Sequence, residues 1–314
     1  MRVCLGLDTS CYTASLAAVT ETGEVVFNSR VLLTVAPGQR GLRQSDALFQ
    51  HLQRLESMTA RWRAAMPAAS LLLVAASVSP RPVPDSYLPV FLAGTTVGRA
   101  MAAAAGVPFF ATTHQEGHLQ AAFMGLENPP DTFLAVHLSG GTTEILTASR
   151  AHAGFGLELL GGTEDLYAGQ FIDRLGAAMG LPFPAGPALE ELAARGRAEA
   201  FRLPVASKGL HFSLSGPLTA AERALRDGVV KPEDLAASAL VCLSEAVIRM
   251  LRAAIAATGL REVVLGGGVM ANRRIRALLT SSFPEVRLIF ASPEASTDNA
   301  IGVALLGLEK FGRR

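Results

Sequence analysis

The sequence predicts an α/β protein built from two similar lobes, and three observations lead there. Apolar runs of strand length, at residues 3–7, 71–75, 107–111, 133–138 and 262–265, alternate with longer stretches of helical periodicity. The opening order of strand, small polar loop, threonine and returning strand recurs at residues 133–147, about 130 residues later and near half the chain. With 314 residues, 50% of them hydrophobic and 18% charged, the chain is long enough for two cores and too apolar for disorder. Such a duplication puts a cleft between the two loops, where α/β proteins usually take ligands.

Composition also excludes. The longest apolar stretch, residues 87–112, is broken by Pro89, Gly94 and Arg99, short of the ~20 clean residues of a membrane span. The start, residues 1–8, has too short an apolar core for a signal peptide and ends on Asp8, so a cytoplasmic protein with no membrane partner is expected. Cys4, Cys11 and Cys242 match no CxxC spacing and read as reduced thiols. A net charge of +1 gives no global case for nucleic acid. Arginines cluster locally, at Arg40 and Arg43, Arg61 and Arg63, and Arg273, Arg274 and Arg276; solvated helix faces and a phosphate-facing patch both account for them.

Taken in order, residues 3–7, 14–19 and 25–28 read as strands of an antiparallel start, joined by a Thr- and Ser-rich loop able to wrap a phosphate. Residues 42–66 are helical, with Leu48, Leu52 and Leu55 on one face and Pro67 as the stop. A strand at 71–75, a proline-rich loop at 79–85, a small-residue helix at 93–105 and a strand at 107–111 follow. Next, His114 and His118 stand four apart at a helix start, both rings on one face. That spacing is half of a metal chelate; it also suits two unrelated polar histidines. A metallopeptidase helix needs Glu directly after the first His, where Gln115 stands, and Glu116 falls roughly on the opposite face.

In the second half, Ser139-Gly-Gly-Thr-Thr143 follows the strand at 133–138 and is the better phosphate cradle, since glycine lets backbone N–H groups approach an anion. Gly161 opens a long helix ending near Gly180. Asp165 there suits the helix N-terminus by its charge, while Asp173 falls inside the helix, where a salt bridge to a surface arginine and binding of a ribose or substrate hydroxyl both fit. A loop with three prolines, helices at 188–195, 216–226 and 232–258, and a strand at 262–265 lead to Gly266-Gly-Gly268 and Asn272. That strand, triple glycine and helix start let a flat ring or sugar rest on backbone, without the GxGxxG or GK[ST] pattern of other nucleotide loops. After a strand at 287–290, Asp298 is the carboxylate to pair with His114 and His118; capping the last helix is its alternative role.

The ordered set of motifs resembles the universal threonylcarbamoyl transferases that make threonylcarbamoyladenosine in tRNA, formerly labelled glycoproteases. The resemblance runs nearly end to end: Gly6-Leu-Asp-Thr-Ser-Cys11, Thr96-Val-Gly-Arg99, His114-Gln-Glu-Gly-His118, Leu138-Ser-Gly-Gly141, Gly169-Gln-Phe-Ile-Asp173, the segments 180–187 and 212–216, Gly266-Gly-Gly-Val-Met-Ala-Asn272 and Thr297-Asp298-Asn299. It implies the duplicated architecture of actin, hexokinase and the heat-shock ATPases, with one lobe at 1–126 joined by 297–314 and the other at 127–296. It implies His114, His118 and Asp298 as ligands of one divalent metal, iron or zinc. Leu138, Ser139, Gly140, Gly141, Thr142, Asp173, Gly186 and Asn272 are implied to bind adenylate or ATP, and no catalytic side chain beyond the metal site is required. The implied reaction moves threonylcarbamoyl from threonylcarbamoyl-adenylate to a tRNA adenosine, beside a paralogous actin-fold subunit and a small ATPase. The chain departs from the family's pattern at Tyr12, Thr142, Leu166, Gln170 and Arg174, and in the proline-rich segment 79–89. These changes make it resemble a divergent paralogue, for which a non-catalytic metal- and nucleotide-binding partner is the alternative reading and a metallopeptidase a further one.

Overall fold

In the computed structural model, residues 1–10, 12–35, 42–151, 154–292 and 298–312 are described. Cys11, Arg40 and Thr297 lie outside them. The chain begins with β1 (Arg2–Asp8), β2 (Thr13–Thr20), β3 (Val25–Leu32), α1 (Gln44–Ala65), β4 (Ser70–Ser79), α2 (Phe91–Ala105), β5 (Phe109–Thr113) and α3 (His114–Ala122). The strands form one sheet in the order β3-β2-β1-β4-β5, antiparallel from β3 to β1 and parallel from β1 to β5.

Alternation along β1 explains the layers around it. Val3, Leu5 and Leu7 share one core with Leu55, Met58 and Trp62 of α1 and with Ala93 and Ala102 of α2. Cys4 faces the other way, into a core with Ala300, Ile301, Val303 and Ala304. A strand buried on both faces has no polar side to offer, hence its continuous apolar run. Burial pushes the Cys4 thiol far above its ordinary pKa and the Cys242 thiol up to about 11, so both stay protonated.

The second half supplies β6 (Thr132–Leu138), β7 (Thr143–Ala151), β8 (Gly154–Thr163), α4 (Ala168–Ala178), α5 (Gly186–Ala193), β9 (Ala206–Lys208), β10 (His211–Ser213), α6 (Ser215–Arg226), α7 (Pro232–Thr258), β11 (Glu262–Gly266), α8 (Arg273–Ser282), β12 (Arg287–Phe290) and α9 (Ile301–Gly312). Its sheet runs β12-β11-β6-β7-β8-β10-β9. An antiparallel β6–β7 hairpin opens this half as β1–β2 opens the first. Helix α7 is the spine of its core: Leu235, Leu240, Leu243, Val247 and Leu251 are all 0–1% exposed. The chain falls into two compact units, one of Met1–Pro129, Arg150–Gly156 and Thr297–Arg314, the other of Pro130–Ser149 and Leu157–Ser296. Among the described residues, no helix is long and apolar enough to cross a membrane.

One reading of the sequence is corrected here. Residues 161–163 end strand β8 and do not open a helix; α4 begins only at Ala168. Gly161 and Gly162 serve close strand packing, since a Cβ on them would lie 2.3 Å from the carbonyl oxygens of Leu210 and Thr143 respectively. Without side chains at those positions, periodicity has nothing to report.

Helices α3 and α9 touch backbone to backbone. A Cβ on Gly302 would lie 1.8 Å from the Gly117 carbonyl oxygen. Gly302→Ala is therefore expected to destabilise the protein at the upper end of the roughly 1–3 kcal/mol typical of overpacking. Urea unfolding measures this, and an unchanged midpoint would mean the helices separate without cost.

Candidate metal centre and nucleotide loops

The first unit gathers its titratable groups at the start of α3. Thr113 caps the helix, and Glu116 completes a capping box. The Glu116 carboxylate accepts hydrogen bonds from the Thr113 N–H (3.0 Å), from the hydroxyls of Thr113 (2.8 Å) and Thr112 (3.3 Å), and from the Phe155 N–H (3.2 Å). It is thus occupied with the helix's own geometry. The capping fixes the first turn, and the i,i+4 spacing then stacks His114 and His118 one turn apart, their ring centroids 4.4 Å from each other.

Asp298 arrives from the other end of the chain. It does not cap α9: Asn299 does so, accepting the Ile301 N–H at 3.1 Å. Asp298 instead turns Oδ1 to His118 Nε2 at 3.4 Å and to His114 Nε2 at 3.6 Å, while the two Nε2 atoms stand 3.1 Å apart. These are the three residues that, among those described, offer ligand atoms converging within 4.8 Å. Three donors held about 2.1 Å from one ion at tetrahedral angles would stand about 3.4 Å apart, so two imidazole nitrogens and one carboxylate oxygen fit a divalent transition metal.

Electrostatics favour positive charge at this cluster. Burial, the largest influence on His114, disfavours its charged form. The charge and hydrogen bond of Asp8, with the charge of Asp298, overcome that and raise the ring from 6.5 to about 9. Burial likewise opposes the Asp298 charge, yet the hydrogen bond from His118, the two imidazoles and the Thr13 side chain hold its carboxyl far below the usual range. Asp8 is a site residue the sequence reading missed: it is fully buried, with Oδ2 2.9 Å from His114 Nδ1. Its signal was the only one available, a carboxylate ending a buried strand.

In the second unit the implied nucleotide residues gather in two groups. Residues 138–142 form a tight turn: the Ser139 N–H donates to the Thr142 carbonyl at 2.7 Å, and the Ser139 hydroxyl accepts the N–H groups of Gly141 (3.3 Å) and Thr142 (3.0 Å). Nothing lies within 4 Å of where a Cβ on Gly140 or Gly141 would stand, so these glycines leave backbone open and not packed. Two further glycines do close the turn in: a Cβ on Gly169 would be 2.6 Å from the Gly140 nitrogen, and one on Gly267 2.3 Å from the Leu138 carbonyl oxygen. Gly267 also has φ +91°, which suits glycine alone.

Asp173, one helical turn beyond Gly169, accepts the Ala185 N–H at 2.8 Å and so ties the proline loop and Gly186 to α4. Burial raises its pKa, with that bond as the opposing effect. No salt bridge to a surface arginine appears for Asp173 among the described residues. Asn272 caps α8 through the Ile275 N–H at 3.0 Å. Asp165 serves α6, not α4: its carboxylate accepts the N–H groups of Leu214 and Ser215 and both flanking serine hydroxyls. Burial is the one opposing effect, and those bonds hold its carboxyl well below the usual carboxylate range. Of the basic group on α8, Arg273 pairs with Glu190 at 3.3 Å, and Arg276 reaches the Ala291 carbonyl at 2.7 Å, so the group does not form a bare phosphate patch.

A family model described as TsaD, tRNA N6-adenosine threonylcarbamoyltransferase, matches residues 86–305, more than half of the chain. The chain belongs to this family. The family is of the transferase class and acts on tRNA. Solved structures show the fold. HypF of T. kodakarensis has a TM-score of 0.64 at 14% identity over 99% of this chain, which spans about half (47%) of HypF. Component A of the (R)-2-hydroxyglutaryl-CoA dehydratase of Acidaminococcus fermentans gives 0.60 at 17% over 100% of both chains. A ROK family glucokinase from Streptomyces griseus, solved with glucose and AMPPNP, gives 0.55 at 12% over 97% of this chain and 98% of its own. The architecture is accordingly the actin-, hexokinase- and heat-shock-ATPase-like one that the motifs imply.

Leu166 is 4% exposed within the core of the second unit, and Tyr12 is 43% exposed.

The raised pKa of His114 sets two signs. Its ion pairs stabilise the metal-free chain fully below about 6.5, and that contribution is lost as pH rises through about 9. A metal must displace the same proton, so metal affinity is expected to climb about tenfold per pH unit until about 9. Zinc titrations from pH 7 to 10 check this; a flat profile would place the proton elsewhere.

Proposed function

We propose that this chain transfers a threonylcarbamoyl group from threonylcarbamoyl-adenylate to the exocyclic amine of a tRNA adenosine. The observation that carries the reading is the convergence of His114, His118 and Asp298, which suits one divalent metal, iron or zinc. Residues 138–142 (Leu138, Ser139, Gly140, Gly141 and Thr142) with Asp173, Gly186 and Asn272 are the proposed adenylate contacts. The open backbone at Gly140 and Gly141 supports the phosphate role. Proposed lobes run 1–126 with 297–314, and 127–296. A paralogous subunit of the same fold and a small ATPase are proposed partners, in the cytoplasm.

In the reaction, the amine nitrogen forms a bond to the carbamoyl carbon, the bond from that carbon to the adenylate phosphate oxygen breaks, and AMP leaves with the electron pair. The amine gives up one proton to solvent. A bound metal supplies Lewis acidity toward the polarised oxygens. The chain's own residues supply position: the turn at residues 138–142, with no side chain at Gly140 or Gly141, leaves room for a phosphate to approach, and the capped start of α3 holds the imidazoles in place. No nucleophilic side chain is needed.

The competing reading is a metal- and nucleotide-binding paralogue without turnover, and the apolar Leu166 is the observation that favours it. A metallopeptidase has less support, since the Glu116 carboxylate is committed to the capping box and the Phe155 N–H. The deciding experiment gives metal-loaded protein threonylcarbamoyl-adenylate, unmodified tRNA and partner proteins from the same organism, and scores threonylcarbamoyladenosine. Product that falls more than about 100-fold in His114→Ala is expected, a larger loss than typical of residues behind a metal ligand. No product from a folded, metal-bound protein would select the binding paralogue.

A further inference from the structure

We propose that Asp8 is a positioning residue that fixes His114 in the tautomer and orientation a metal requires. The inference rests on the metal-centre reading above and adds a residue to it. Asp8 ends β1, is fully buried, and has no lysine or arginine paired with it among the described residues. What holds it is a set of donors. The Ser77 hydroxyl donates to Oδ1, the Ser10 hydroxyl donates to Oδ2 at 3.2 Å, and the same Oδ2 stands 2.9 Å from His114 Nδ1. Ser77 and Ser10 are themselves 0% and 1% exposed, so solvent does not compete for the carboxylate.

A carboxylate can only accept. Its contact with His114 is therefore a hydrogen bond when Nδ1 carries the proton, which leaves Nε2 as the ring's other nitrogen. That Nε2 faces His118 Nε2 at 3.1 Å and Asp298 Oδ1 at 3.6 Å. The ring is thus clamped on one edge and presented on the other, the arrangement by which a carboxylate behind a histidine tunes a metal ligand. Asp8 has a second effect, on charge. With Asp298 it places two carboxylates against the His114 ring, one on each edge, and a divalent cation would balance their charge.

Cobalt(II) is the probe, because its visible absorption reports ligand identity and geometry independently of any turnover. Wild type, Asp8→Asn, Asp8→Ala and Ser77→Ala are compared for cobalt affinity, band position and metal-free melting temperature. Asp8→Ala is expected to lose about 10–100-fold in affinity and to shift the band. Asp8→Asn keeps an acceptor but not the charge, so it should weaken binding by less and leave the band in place. Ser77→Ala removes only the support behind Asp8; it should weaken binding least, and it keeps the proposal testable where Asp8→Ala fails to fold. Wild-type affinity and band in Asp8→Ala, with only its melting temperature lowered, would overturn the positioning role and leave the metal centre standing. Wild type that takes up no cobalt would overturn the metal centre itself.

Discussion

Helix α9 can reach the imidazoles only because three glycines remove the side chains that would hold it away. At Gly6 a Cβ would lie 2.4 Å from the Ala300 carbonyl oxygen, so the entry to α9 rests directly on β1. At Gly117, between the two histidines, and at Gly302 the backbones of α3 and α9 meet. The contact sets the position of Asp298, four residues before Gly302, over the ends of β1 and α3. The Asp298 ligand atom depends on this approach, although none of the three glycines offers one.

Charge then does what packing alone cannot. Two carboxylates so close together, Asp8 fully and Asp298 partly buried, would repel each other and lose water; the His114 ring between them supplies the compensation, carrying a proton to well above neutral pH. The proton occupies, electrostatically, the place of an ion. The site keeps its shape through hydrogen bonds from Ser10, Ser77 and Thr13 that do not involve a metal. Preorganisation of this kind lowers the ordering cost of capturing a cation.

What the sequence reveals about this site follows the range of the interactions. The histidine pair is legible because its meaning lies in a four-residue spacing, and the β1–β2 and β6–β7 hairpins are legible because apolar runs of strand length flank a short polar loop. Asp8 is not, because its partner lies 106 positions away. Asp165 misleads for the same reason. Local charge logic assigns it to the nearest helix, but the backbone N–H groups it satisfies belong to residues 214 and 215. Asp173 is read from its place inside a helix as a partner for an arginine or for a ribose or substrate hydroxyl, and the structure gives it a backbone partner across the proline loop, a contact 12 positions away that helix periodicity does not report. The strand β8 escapes notice because its glycines carry no periodic signal.

The burial of Leu166 bears on what its position can hold. The leucine packs into the core of the second unit at 4% exposure, just before α4. A Leu166→Asp change would place a carboxylate in an apolar surrounding, stripped of water. The entry to α4 is therefore governed at this position by packing, and a charge could be carried there only if the side chains around it changed as well.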